Sequence, residues 1–181
     1  MESTRDLLDA VLRWPAESVE AWLDGLVVGE PVGDEPFNWE VFAFTAATRA
    51  GEERNLPWAH IALRVYDGLV NRSPARAAHS FWLSAMNLRS RLIEDLGARE
   101  GDAVLDPHII AAWFQRIATM PLEEAVRLSS APDLRTVPPE KLLALRDIKN
   151  ALNILSRLAE TDFVRNHPEL HGWIQLRSQL P

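Results

Sequence analysis

The stretch RAAHSFWLSAMNLRSRL, residues 76–92, decides the fold class of this chain. Wound as an α-helix, it places apolar residues at steps of three and four on one side, with further large apolar residues beside them. A narrow polar line remains, consisting of Ser80, Ser84, Asn87 and Arg91. An apolar band this wide predicts a helix that has neighbours on two or three sides. Residues 37–50 and 107–118 show a similar breadth, so we expect three such inner helices.

Signals for helices also dominate the rest of the chain. Prolines suited to a first helical turn open several segments, and Asp106-Pro107 combines a capping acid with such a proline. The segment VVGEPVGDEP, residues 27–36, holds two glycines and two prolines and predicts a loop. No convincing alternating strand occurs. The sequence therefore predicts an all-α protein of about eight to ten helices, stacked as antiparallel hairpins.

We expect a single all-helical domain over residues 1–181, either compact or a short solenoid, because this length is typical of one domain. Within it, the loop 27–36 would join an acidic N-terminal hairpin, residues 1–30, to a main helical body, residues 37–181.

Composition narrows the classes of function. The chain is 47% hydrophobic and 25% charged, which is typical of a soluble globular protein. The absence of cysteine excludes disulfides, a thiolate nucleophile and cysteine-ligated zinc. MESTRDLLDAVLRW lacks the basic and apolar regions of a secretory signal, and no apolar run is long enough for a membrane span. We therefore expect a cytoplasmic protein without membrane contact. All but two of the 19 basic residues are arginine, which favours a bacterial source.

The net charge of −7 is unevenly distributed. Residues 1–53 carry twelve acids and three bases, a balance of −9, while residues 54–181 carry fourteen acids and sixteen bases, a balance of +2. The overall charge argues against non-specific nucleic-acid binding. The acidic third instead favours a basic protein partner, with Glu17, Glu20 and Asp24 as its candidate face.

Two polar stripes are candidate binding surfaces. The line Ser80, Ser84, Asn87, Arg91 is either a seam that faces water or the lining of a groove in which a partner binds. A second stripe follows a predicted long helix and could bind an anion, an acidic protein or nucleic acid, or could simply be solvated. It consists of Arg146, Lys149, Asn150, Asn153 and Arg157.

HPELH, residues 167–171, has the look of a metal motif because two histidines four residues apart can share one helix face. Pro168 fits the first helical turn, which makes His167 a cap and takes it out of register with His171. We therefore expect no metal and no other cofactor. We assign no catalytic residues, since no nucleophile elbow, phosphate-binding loop or dinucleotide fingerprint occurs.

Ala62, Tyr66, Leu69 and Pro74 resemble the second helix of a tetratricopeptide repeat, and Trp39 lies where the first helix of such a unit carries an aromatic residue. The resemblance covers residues 39–74 and implies stacked helical hairpins. GEERNLP makes the joint longer than in the family, Leu69 replaces the usual alanine, and no second copy keeps the period. No binding residues are carried over.

These observations favour a non-enzymatic module that binds another protein: a subunit of a complex, an adaptor, or a partner-masking protein of the immunity or antitoxin type. Formation of a homo-oligomer is compatible with this interpretation. The alternative is an enzyme with a site between helices, such as a metal-dependent hydrolase. A third interpretation is a nucleic-acid-associated subunit that uses the stripe at residues 146–157.

Overall fold

The computed structural model describes residues 4–73 and 75–94 and, later in the chain, positions 135, 137–139, 141, 142, 146, 150, 153, 154, 157, 165 and 166. The chain divides into two compact units, Met1–Gly97 and Ala98–Pro181. Five helices lie in the first unit: α1 (Thr4–Val11), α2 (Ala16–Asp24), α3 (Trp39–Glu53), α4 (Leu56–Arg72) and α5 (Ala75–Glu94). Among the described residues there is no strand beyond one isolated bridge between Val32 and Glu35, so the all-α prediction is confirmed for them.

Local capping explains where these helices begin. Pro15 precedes α2 with φ −59° and ψ 147°, so the proline ends one segment and leads into the next. The side-chain oxygen of Asn38 accepts a hydrogen bond from the Val41 backbone N–H at 3.0 Å, and Asn55 does the same for Trp58 at 3.3 Å. Each asparagine satisfies a backbone donor that the first helical turn leaves unpaired.

The end of α3 differs from the prediction, which stopped the helix near Ala50. The helix continues through Gly51 to Glu53, where an ion pair of 2.7 Å joins Glu53 to Arg49 one turn earlier. Arg54, with φ 49°, adopts the left-handed conformation that ends the helix. The residue that ends the helix is thus an arginine, and Gly51 lies inside the helix.

A cluster of aromatic rings fills the space between α2 and the start of α3. Trp14, Trp22, Phe37, Trp39 and Phe42 form it, with ring centroids 4.8–6.3 Å apart and mostly edge-to-face geometry. The indole N–H of Trp39 also donates to the Glu30 carbonyl at 2.7 Å, which ties the loop 27–36 to this cluster. Much of the tryptophan content therefore serves packing.

The loop also packs directly on α4. A Cβ added to Gly68 would lie 2.8 Å from the Cβ of Val28, closer than carbon atoms can approach. Arg72 of α4 pairs with Glu30 of the same loop. Because glycine has no side chain, the side chain of Val28 can lie against the helix at this point.

Helix α4 lies between α3 and α5 and makes its most extensive contacts with these two helices. Its buried residues cover most of its surface and include Trp58, Ile61, Leu63, Val65 and Leu69. The interface with α5 contains an ion pair in which Arg89 donates to both carboxylate oxygens of Asp67, at 3.2 and 2.7 Å. Arg89 is only 2% exposed, so most of its charge is compensated inside the fold.

The wide apolar band predicted for residues 76–92 is present over residues 80–92, where burial is described. Trp82, Ala85, Met86, Leu88 and Leu92 are buried, and so are Arg89 and Ser90. Phe81 lies on the same side of the helix as Ala85, Leu88 and Leu92 but is only half-buried. A similarly wide apolar band was predicted for residues 37–50. On one side of α3 this prediction was wrong, because Phe44 is exposed there. The third predicted inner helix, residues 107–118, lies outside the described residues.

Candidate functional site

The polar line of α5 lies against two other helices. Ser80 and Asn87 are exposed, while Ser84 and Arg91 are half-buried because each reaches a neighbouring helix. Ser84 is hydrogen-bonded to Tyr66 of α4. A Cβ added to Gly51 of α3 would lie 2.5 Å from Nη2 of Arg91, so the missing side chain of the glycine leaves room for the guanidinium group.

Tyr66 of α4 is influenced by side chains of both neighbouring helices, α3 and α5. It is the single tyrosine of the chain and is 4% exposed. Burial raises the pKa of Tyr66 above its ordinary value of 10.0, the hydrogen bond from Ser84 opposes the shift, and the charge of Glu40 adds to it. Glu40 lies in the first turn of α3. The phenol of Tyr66 on α4 is thus hydrogen-bonded to Ser84 of α5, and the charge of Glu40 on α3 acts on it through space.

The side of α3 that turns towards solvent carries an exposed apolar centre. Phe44 is 67% exposed and Val41 is 43% exposed. Polar residues surround them, and Thr48 donates a hydrogen bond from its hydroxyl to the Phe44 carbonyl at 2.9 Å. We call this surface the α3 outer face; it consists of Glu40, Val41, Phe44, Thr48 and Glu52, all exposed.

The α3 outer face borders the α5 polar line. Glu40, Phe44, Ala47 and Gly51 follow one another at steps of four, three and four, so they share one side of the helix. Glu40 at one end of this row acts on Tyr66, and Gly51 at the other end contacts Arg91. Phe44 consequently lies in the row of α3 whose two end residues reach Tyr66 electrostatically and contact Arg91.

Sequence reasoning missed Phe44 because the apolar residues of α3 occupy most of its circumference. Phe42 and Phe44 are equally apolar in sequence, yet Phe42 is fully buried. One signal was present. Glu40, Phe44, Thr48 and Glu52 lie at successive steps of four, so the aromatic residue belongs to a line that is otherwise polar.

The predicted acidic face on α2 is used in part by the fold itself. Asp24 pairs with Arg64 of α4 at 2.7 Å. Glu17 is exposed and Glu20 half-buried, and neither makes an ion pair within the described part of the chain. The three acids do share one side of α2, but Asp24 is engaged in holding α2 to α4.

The remaining predicted sites fall late in the chain. Arg146, Asn150, Asn153 and Arg157 are helical and exposed, whereas Lys149 lies outside the described residues. The metal candidates His167 and His171 also lie outside them. Across the described ranges, no group of three or more histidine, aspartate or glutamate side chains could hold a metal ion. None of the helices described here is long and apolar enough to cross a bilayer.

Comparison with known proteins identified no similar protein. The sequence matches no protein-family model, no curated protein and no solved structure. The resemblance of residues 39–74 to a tetratricopeptide repeat therefore stays a prediction. Within that segment, Ala62, Tyr66 and Leu69 are buried on α4, and Trp39 is buried at the start of α3.

Proposed function

We propose that this chain is a non-enzymatic protein-interaction module, and that its partner contacts the α3 outer face beside the α5 polar line. A subunit of a complex, an adaptor and a partner-masking protein of the immunity or antitoxin type all belong to this class. The exposure of Phe44 is the observation that carries the proposal. Full burial of a phenylalanine is worth roughly 1.5–3 kcal/mol, and most of that gain is still available to a partner.

The surroundings of Phe44 support this assignment. Protein interfaces place aromatic residues at a centre that excludes water and surround them with polar groups. Val41 extends the apolar centre, while Glu40, Thr48 and Glu52 form a polar rim. On the adjoining side, the α5 polar line supplies hydroxyl, amide and guanidinium groups that can fix the orientation of a bound protein.

We also propose that the chain as a whole is a stack of helical hairpins. Eight to ten helices stacked as antiparallel hairpins would present successive helices side by side, and such arrays bind partners across neighbouring helices. The packing of α4 between α3 and α5 is compatible with that arrangement.

The test compares proteins retained by the full chain with those retained by surface variants. We expect at least one protein from an extract of the source cells to bind the wild type and to be lost with Phe44→Asp. Val27→Asp is the matched control, since Val27 is a 50% exposed apolar residue in the loop before α3. Circular dichroism and thermal melting check that both variants fold. Identical sets of retained proteins for the wild type and Phe44→Asp would refute the proposal.

A further inference from the structure

We infer that the partner presents a basic amphipathic helix to the α3 outer face, with apolar side chains at its centre and lysine or arginine towards both ends. This inference rests on the proposed function and adds to it the chemistry of the partner. It follows from the spacing of charges along α3, from the repulsion that a second copy of this chain would meet, and from the placement of the neighbouring arginines.

The spacing of the glutamates defines the first requirement. Glu40 and Glu52 are three four-residue steps apart, with Phe44 and Thr48 between them. At 1.5 Å per residue the two acids are separated by about 18 Å along the helix axis. A line at steps of four also winds around the helix, so the acids flank the apolar centre on opposite edges. A complementary helix carries basic groups a similar distance apart.

A second copy of this chain fits the surface poorly. If two α3 helices packed antiparallel with Phe44 of each copy opposite Thr48 of the other, Glu40 of each copy would face Glu52 of the other. If they packed in parallel, each glutamate would face its own counterpart. Like charges meet in both arrangements, which disfavours self-association and favours a partner of opposite charge.

The arginines near α3 lie away from the apolar centre formed by Val41 and Phe44, so they do not neutralise the glutamates beside it. Arg49 is held by Glu53 and by the Leu12 carbonyl, and its guanidinium lies 4.3 Å from the ring centre of Trp58, away from the outer face. Arg54 lies just beyond the last turn of α3, and the side chain of Arg91 lies against Gly51 within that turn. The loop that precedes α3 carries two further exposed acids, Asp34 and Glu35. A basic partner thus meets Glu40 and Glu52 on the surface where Val41 and Phe44 are exposed.

The experiment selects from a displayed library of random peptides, long enough for several helical turns, against the immobilised full chain. We expect the enriched peptides to carry basic residues on both sides of apolar ones and to bind more weakly as salt rises. Phe44→Asp should weaken the best peptide by about tenfold or more. Glu40→Lys combined with Glu52→Lys should reverse the preference to acidic peptides. Glu17→Lys combined with Glu20→Lys makes the same charge change on α2 and should leave the selection unaltered.

The outcomes separate the partner class from the binding function. Peptides that require Phe44 but show no basic preference would overturn this inference and leave the proposed function standing. Peptides lost only in the α2 variant would move the site to Glu17 and Glu20. The absence of any Phe44-dependent peptide counts against the inference, and the extract experiment above then decides the proposed function. A dimer seen by analytical ultracentrifugation and lost in Phe44→Asp would assign the surface to a second copy.

Discussion

The ionisation of Tyr66 provides a direct test of how α3, α4 and α5 are assembled. No other tyrosine occurs in the chain, so the phenolate absorbance of the folded protein reports this one group. Its hydroxyl is buried, hydrogen-bonded to Ser84 and close to the charge of Glu40. Burial is the largest of these effects, and we therefore expect Tyr66 to ionise above pH 10.0.

The sign of the effect on stability follows from the proton balance. Below pH 10 the phenol keeps its proton in both the folded and the unfolded chain, so it adds no pH dependence there. Between pH 10 and the raised pKa of Tyr66, only the unfolded chain loses the proton. The free energy of unfolding should then fall by about 1.4 kcal/mol for each pH unit in this window. Above the raised pKa the contribution of Tyr66 becomes constant again.

Two substitutions should move the pKa of Tyr66 in opposite directions. Glu40→Gln removes a nearby negative charge and should lower it, whereas Ser84→Ala removes a hydrogen bond that favours the phenolate and should raise it further. Glu17→Gln on α2 serves as the control and should change nothing. The assay is an absorbance titration with circular dichroism measured at each pH to confirm that the chain is folded. Ionisation of Tyr66 at pH 10 with no response to Glu40 or Ser84 would refute the arrangement of the three helices.

Three further substitutions test the packing through chemical denaturation. Gly68→Ala gains about 1 kcal/mol of helix propensity but forces its Cβ against Val28, so we expect net destabilisation that disappears in a Val28→Gly background; simple stabilisation would show that the loop does not contact α4. Asp67→Asn leaves the guanidinium of Arg89 buried and should cost about 1–3 kcal/mol, reduced because the Asp67 side chain is 41% exposed, and far less in an Arg89→Met background; equal costs in both backgrounds would argue against the ion pair. Trp82→Ala should cost about 3–5 kcal/mol because Trp82 is 1% exposed, whereas a near-neutral result would place it at the surface.

Part of the candidate site could be read from the sequence. The line Ser80, Ser84, Asn87, Arg91 follows from helical periodicity alone, because residues three and four apart share a side of any helix. The contacts of Ser84 with Tyr66 and of Arg91 with Gly51 could not be predicted. They join residues 18 and 40 positions apart in the chain, and no local pattern specifies which helices become neighbours.

Gly51 is a second case in which the local sequence could not predict what helix packing decides. The polar run GEERN, residues 51–55, predicts a break between the helix at residues 37–50 and the next one. In the structure α3 continues through it to Glu53. The close approach of the Arg91 side chain explains the glycine, and that approach depends on how α5 packs.

By itself, the sequence determined that this region is helical and where several of its helices begin. Asn38, Asn55 and Pro15 act on backbone groups within one turn, so their effect does not depend on the rest of the fold. Tertiary structure alone decided which apolar residues are covered. Phe42 and Phe44 lie two residues apart, and only the packing of α2 and α4 against one side of α3 makes the first a core residue and leaves the second exposed. Capping is a local interaction, whereas burial depends on neighbours that the chain brings together from a distance.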